Sequence, residues 1–145
     1  MGVSDPYNIQ RFINAQEGTF ETALSELKAG SKQSHWMWFI FPQLAGLGRS
    51  PTAQHYAIAS LDEAQAFLDH PELGPRLRDC VEALLPWASK RSALQIFGPI
   101  DGLKLRSSLT LFYHLEPRGL MRRALDGFFD GQRDERTLAL LAPTS

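Results

Sequence analysis

The sequence predicts an all-α fold, and three observations carry that expectation. Apolar residues recur at three- and four-residue intervals along most of the chain, residues with N-cap chemistry head successive periodic segments, and no stretch alternates apolar and polar side chains over more than a few positions. Asp-Gly pairs, which mark hairpins when they lie between alternating runs, occur here at Asp101-Gly102 and Asp130-Gly131, where they border helical segments. The expected architecture is a compact array of about seven to nine short helices around a buried helix rich in tryptophan and phenylalanine. With no linker, repeat or low-complexity stretch, it reads as a single domain over residues 1–145, its core over about 5–141.

Taken in order, Asp5-Pro6 pairs a capping carboxylate with a proline whose missing N–H costs nothing at a first helical position, and Ile9, Phe12, Ile13 and Gln16 follow at helical spacing. Phe20, Ala23, Leu24 and Leu27 share one face of a second helix, which Ala29-Gly30 ends. The densest stretch comes next: Ser34 to Ser50 reads Ser-His-Trp-Met-Trp-Phe-Ile-Phe-Pro-Gln-Leu-Ala-Gly-Leu-Gly-Arg-Ser. Six large apolar residues, Trp36 to Phe41, are too few to span a bilayer, so they belong in the core as a short helix of about two turns, capped by Ser34 and stopped by Pro42. Ser50-Pro51 opens a further helix towards Tyr56, Ala57 and Ile58, and Ser60 with Glu63 forms a capping box for the stripe Leu61, Ala64, Phe67 and Leu68. Leu77, Cys80, Val81, Leu84 and Leu85 face inward from the helix after Pro75, which breaks near Pro86. Ser92 caps a short turn that Gly98-Pro99 closes. Asp101 then caps a helix whose buried stripe, Leu105, Leu109 and Phe112, is widened by Leu103, Leu111 and Leu115 until most sides are enclosed. A helix through Leu120, Met121, Leu125, Phe128 and Phe129, and a last one from Asp134 through Leu141, complete the chain.

A length of 145 residues can bury a sufficient core without disulfides or metals, and 43% hydrophobic with 21% charged residues places the chain among globular proteins. A net charge of −1 supplies no global pull towards nucleic acid or membrane, so neither is expected as a partner. Cys80, the single cysteine, reads as a small buried hydrophobe, and with no export signal at the N-terminus the expected location is cytoplasmic. His35, His55, His70 and His114 are scattered without ligand spacing, so no metal and no cofactor is expected.

Candidate chemistry concentrates in two stretches. Gly46-Leu47-Gly48-Arg49-Ser50 lacks P-loop spacing, yet glycines and an arginine ahead of a helix start suit an anion; the alternative is a plain capped helix. No acid lies between Glu26 and Asp62, or between Glu82 and Asp101, while Lys28, Lys32, Arg49, Lys90 and Arg91 fall in those intervals. Lys104, Ser107 and Ser108 share one side of the Asp101 helix at i, i+3 and i+4. Such a strip is either satisfied structurally, by pairing Lys104 and bonding the serines to carbonyls one turn back, or it lines a pocket with Gln43 and His35 opposite. His35 would be the base if there is chemistry, the alternative being a histidine that completes a core hydrogen bond. Trp36 and Trp38 point to different sides of a helix; both are expected in the core, although one has the option of stacking on a ring.

The 34–50 stretch, Tyr56-Ala57-Ile58 ahead of Ser60-Leu61, Leu73-Gly74-Pro75-Arg76-Leu77, and Phe97-Gly98 followed by Asp101, Lys104-Leu105 and Arg106 to Phe112 together closely resemble the family catalogued as domain of unknown function 1810, over about residues 5–141. The resemblance implies an all-helical single domain without an assigned activity, and it supplies no catalytic residues. Some members carry the label calpastatin, which does not fit: a disordered protease inhibitor would be polar and repeat-bearing. Two functional expectations follow. One is a pocket between 34–50 and 101–110 that binds a small phosphate- or carboxylate-bearing ligand through Arg49 and Lys104, with Gln43, Ser107 and Ser108 orienting it. The other is a protein-interaction module without catalytic activity.

Overall fold

Helix starts that depend on a single side chain fall where the caps stand. In the computed structural model, which describes residues 5–142, Ser50 Oγ accepts from Ala53 N at 3.1 Å, Ser60 Oγ from Glu63 N at 3.2 Å and Ser92 Oγ from Gln95 N at 3.1 Å. The nine helices among the described residues are α1 Gln10–Gln16, α2 Phe20–Lys28, α3 Met37–Ile40, α4 Pro51–His55, α5 Leu61–Asp69, α6 Leu73–Leu84, α7 Ala93–Leu115, α8 Leu120–Phe129 and α9 Glu135–Leu141. A 3-10 turn over Leu85–Trp87, set by Pro86, follows α6. The expected domain span 1–145 includes residues 1–4 and 143–145, which lie outside the described residues.

Where a cap residue has a better partner in the tertiary structure, the local expectation fails. The Asp5 carboxylate does accept backbone N–H groups, from Ile9 at 2.7 Å and Gln10 at 3.0 Å, but a turn with Asn8 at φ 52° intervenes and α1 starts only at Gln10. Ser34 caps nothing: its hydroxyl donates to Glu26 Oε2 at 2.6 Å, and α3 is one turn rather than two. Asp101 is not a cap either. Gly98 (φ 85°) kinks α7, and the distal half begins at Pro99, where the missing N–H is tolerated, so Asp101 already lies inside the helix and pairs with Lys32 Nζ at 2.9 Å. The α4 helix ends before Tyr56, and in the capping box of α5 the Glu63 carboxylate reaches Ala59 N at 3.0 Å instead of Ser60 N.

One cluster of buried hydrophobic side chains draws on α1, α2, α3 and α5 to α8. Helix α6 touches α2, α5 and α8, while α7 touches α5, α8 and α9, so these two form the frame. Trp36, Met37, Ile40 and Phe41 are buried in the core, with Trp36, Phe41 and Phe97 ring centroids mutually 6.2–6.4 Å apart. Phe67 bridges to a second aromatic group, edge-on to Phe12 at 5.1 Å and 5.6 Å from Phe112. The expected enclosure of α7 holds at Leu111, which is fully buried, but Leu103 is 61% exposed.

Cys80 is 1% exposed, and burial, aided by the charge of Asp79, pushes its thiol up to about 12. The native protein is therefore expected to resist a maleimide at pH 8 and to take up one equivalent once unfolded in urea; labelling of the native chain at the rate of a small thiol would contradict this burial.

Candidate functional site

Backbone pairing shapes the first candidate stretch. Ile58 N donates to Gln43 O at 2.8 Å and Ala45 N to Ile58 O at 2.7 Å, a single parallel bridge that closes the loop carrying α4. Within that loop Gly48 lies so close to α4 that a Cβ would meet the Ala53 methyl at 2.5 Å, and the adjoining Arg49 and Ser50 line the same cavity as the distal half of α7. A third wall comes from residues 131–138, joined to α7 by Asp134 N donating to Thr110 Oγ1 at 2.9 Å.

Between these walls lies an open cleft of about 1060 Å³. Gln43, Arg49, Lys104 and Ser107 line it, together with Trp38 and Arg106, and so do Arg133 and Arg136 from the third wall. Five basic side chains thus face two acidic ones, Asp134 and Glu135, and the Asp134 carboxylate is engaged in capping α9 through Thr137 N at 2.9 Å and Thr137 Oγ1 at 2.6 Å. Lys104 Nζ lies 3.5 Å from Asp101 Oδ1 and 4.8 Å from the centre of the Trp38 ring. Among the described residues, none of Arg49, Arg106, Arg133 and Arg136 is within salt-bridge distance of a carboxylate. Arg106 Nε is buried without a hydrogen-bond partner, and Arg133 stacks on Tyr113 at 4.6 Å.

The polar strip of α7 divides. Ser107 faces the cleft, but its hydroxyl donates to Leu103 O at 3.1 Å, so it offers a donor to an anion only by releasing that bond. Ser108 turns inward, 1% exposed, and its Oγ has no partner; one step along a helix rotates a side chain by about 100°, and the cleft is narrower than the strip. An unpaired buried hydroxyl contributes no stability, so Ser108→Ala is expected to leave the melting temperature unchanged or to raise it by a few degrees. A loss above about 1 kcal/mol would show that Ser108 has a partner. His35 is exposed and is not among the residues that line the cleft, so it is not placed to act there as a base. Trp38, expected in the core, is half-buried at the cleft wall.

The helix-dipole contribution anticipated at Ser50 is small, because α4 has five residues and Ser50 already satisfies one of its N–H groups. The cationic intervals do not converge either: Arg49 reaches the cleft, Lys32 is held by Asp101, and Lys90 and Arg91 line a separate hollow beside Phe128. Sequence reasoning missed Arg133 and Arg136, which sit among Asp130, Asp134 and Glu135 and read as neutralised. No cluster of metal-ligating side chains occurs among the described residues, and no helix there is long and apolar enough to cross a membrane.

Comparison with known proteins agrees with this fold. A crystal structure of the conserved hypothetical protein Rv1873 from Mycobacterium tuberculosis is 48% identical over 97% of this chain and 100% of that one, with a TM-score of 0.92. No functionally curated protein matches the chain. A family model described as "Protein of unknown function (DUF1810)" matches residues 6–141, and the chain belongs to that family.

Proposed function

We propose that this protein binds a small phosphate- or carboxylate-bearing ligand in the cleft between residues 34–50, the distal half of α7 and residues 131–138, and that it does so in the cytoplasm. The observation that supports this is the charge of the cleft: in a protein of net charge −1, five cations line one concavity and four of them lack a carboxylate partner. Lys104 and Arg49, which both line it, are the primary anion contacts, Arg133 and Arg136 supplement them, and Gln43 and Ser107 orient the ligand. The reading is one of binding, with no reaction assigned. A second reading, a protein-interaction module, draws on the exposed edge of α7, where Leu94, Ile100 and Leu103 are 60%, 68% and 61% exposed.

A thermal-shift screen with pyrophosphate, nucleotides, sugar phosphates and dicarboxylates at low ionic strength tests the first reading. A ligand at about a hundred times its Kd should add about 2.7 kcal/mol, a rise of several degrees. Lys104→Ala and Arg49→Ala should each lose most of that rise. A flat screen, or a rise that both variants retain, overturns the proposal.

A further inference from the structure

The cleft is not uniformly polar. Four large hydrophobic side chains stand out as exposed among the described residues, and two of them, Ile100 at 68% and Leu103 at 61%, border this one cavity. They lie one turn apart on the same face of α7, with Lys104 and Ser107 next to them, and Leu47, Trp38 and Leu138 extend the apolar surface around the opening. Exposed aliphatic side chains in isolation are ordinary. Two at the mouth of a cation-lined cavity place an apolar shelf within one helical turn of a positive floor.

We propose that the ligand is an amphipathic anion: a phosphate or carboxylate head held by Lys104 and the arginines, carrying an apolar body of several carbons that covers Ile100 and Leu103. This rests on the anion-binding reading above and narrows it. Inorganic phosphate or a short dicarboxylate would satisfy the cations and leave the shelf in water, whereas a monoester with an alkyl or aryl group would remove it. The Trp38 ring, with Lys104 over it, joins the polar and apolar halves of the site.

A homologous series separates the two levels of the proposal. Binding of methyl, butyl and hexyl phosphate is measured by calorimetric titration on the full chain and on two variants, Lys104→Ala and the double substitution Ile100→Ser with Leu103→Ser. Both replaced aliphatics are exposed, so the double variant should keep its fold. With each added methylene about half-buried, affinity should rise roughly twofold per carbon, and hexyl phosphate should bind about thirtyfold tighter than methyl phosphate. The double variant should flatten that series to less than about threefold and leave methyl phosphate binding unchanged, while Lys104→Ala should weaken every member alike. A flat series in the parent protein, with methyl phosphate still bound, overturns the amphipathic assignment and leaves the anion site standing; no binding by any member removes both. Sedimentation with phosphatidylcholine vesicles containing phosphatidic acid separates a free ligand from the same chemistry at a membrane surface. No pelleting is expected, and pelleting without binding of the soluble esters would overturn a free ligand.

Discussion

Arg11→Ala should lower the melting temperature by roughly 10–15 °C, the equivalent of about 3–5 kcal/mol in a chain of this size. The guanidinium uses all five of its N–H donors: Nε to His55 O at 2.8 Å, Nη1 to Tyr7 O at 2.7 Å and Asn8 O at 2.9 Å, and Nη2 to Ala57 O at 2.9 Å and Glu63 Oε2 at 2.6 Å. Its side chain is 11% exposed and that of Glu63 only 4%, so truncation strands a buried carboxylate along with the carbonyls of Tyr7, His55 and Ala57, while Asn8 O keeps its bond from the backbone N–H of residue 11. Lysine, a point charge without the planar fork, should rescue less than half of the loss. Exchanging the pair for a volume-matched apolar couple, Arg11→Met with Glu63→Leu, should cost less than Arg11→Ala alone, because no charge is left buried. Urea titrations of the three variants decide it; a loss under about 1 kcal/mol for Arg11→Ala would mean that the pair is solvated like a surface salt bridge. The consequence reaches the cleft, since Ala57 precedes the Ile58 bridge that fixes Gln43.

Arg11 also shows why the sequence was informative about some features and silent about others. Helix existence and inward faces were legible because apolar periodicity is local and one buried stripe per helix suffices to generate it. The caps at Ser50, Ser60 and Ser92 were legible because an N-cap bond spans only two or three residues. Ser34 and Asp101 carry the same capping chemistry, yet the Ser34 hydroxyl donates to the Glu26 carboxylate, a charge-assisted bond that prevails over a neutral cap, and the distal half of α7 has already begun at Pro99 when it reaches Asp101, which pairs with Lys32. Nothing near Ser34 in sequence announces that competition. The cleft was half legible for a related reason. Arg49 was identified from the glycine-rich loop ahead of a helix start, Lys104 and Ser107 from a polar strip on an apolar helix and Gln43 as its opposite wall, and all four line one cavity. The third wall was not legible: Arg133 and Arg136 alternate with acids along the chain, which gives them no distinctive local pattern. In space Asp134 caps α9 and the arginines face the cavity. His35 failed in the opposite sense: it was expected as a base opposite the polar strip or as a core hydrogen-bond partner, but α3 begins only at Met37 and His35 is exposed and does not line the cleft.

Glu26→Gln should destabilise the protein by about 2–3 kcal/mol at pH 7, and the difference should vanish as the pH falls towards 2. Partial burial works to raise the Glu26 carboxyl, but four hydrogen bonds overcome it, from Ser34 Oγ at 2.6 Å, Gln33 N at 2.7 Å, Ser34 N at 2.9 Å and Trp36 Nε1 at 2.9 Å, holding it at about 2 against an ordinary 4.5. A folded-state value below the unfolded one gives stability that is fully present above 4.5 and is lost as pH falls through the interval down to about 2. Glutamine with its oxygen in the Oε1 position keeps Gln33 N, Ser34 N and the indole N–H of the fully buried Trp36 as donors but loses the negative charge that strengthens those bonds, and its amide then faces Ser34 Oγ, which must accept where it had donated. Denaturant unfolding at pH 7, 4 and 3 should therefore show parent and variant converging, with most of the change below pH 4.5. Unfolding free energies that stay parallel down to pH 3 would place the acid-sensitive group elsewhere. Convergence would tie the 31–36 segment to the cleft by a continuous path: Glu26 fixes Ser34, whose carbonyl accepts from Lys32 Nζ at 2.6 Å, and Lys32 holds the Asp101 carboxylate whose other oxygen lies beside Lys104. Protonating Glu26 would then loosen the anion site before the core melts, and ligand affinity should fall with pH more steeply than titration of a phosphate alone predicts.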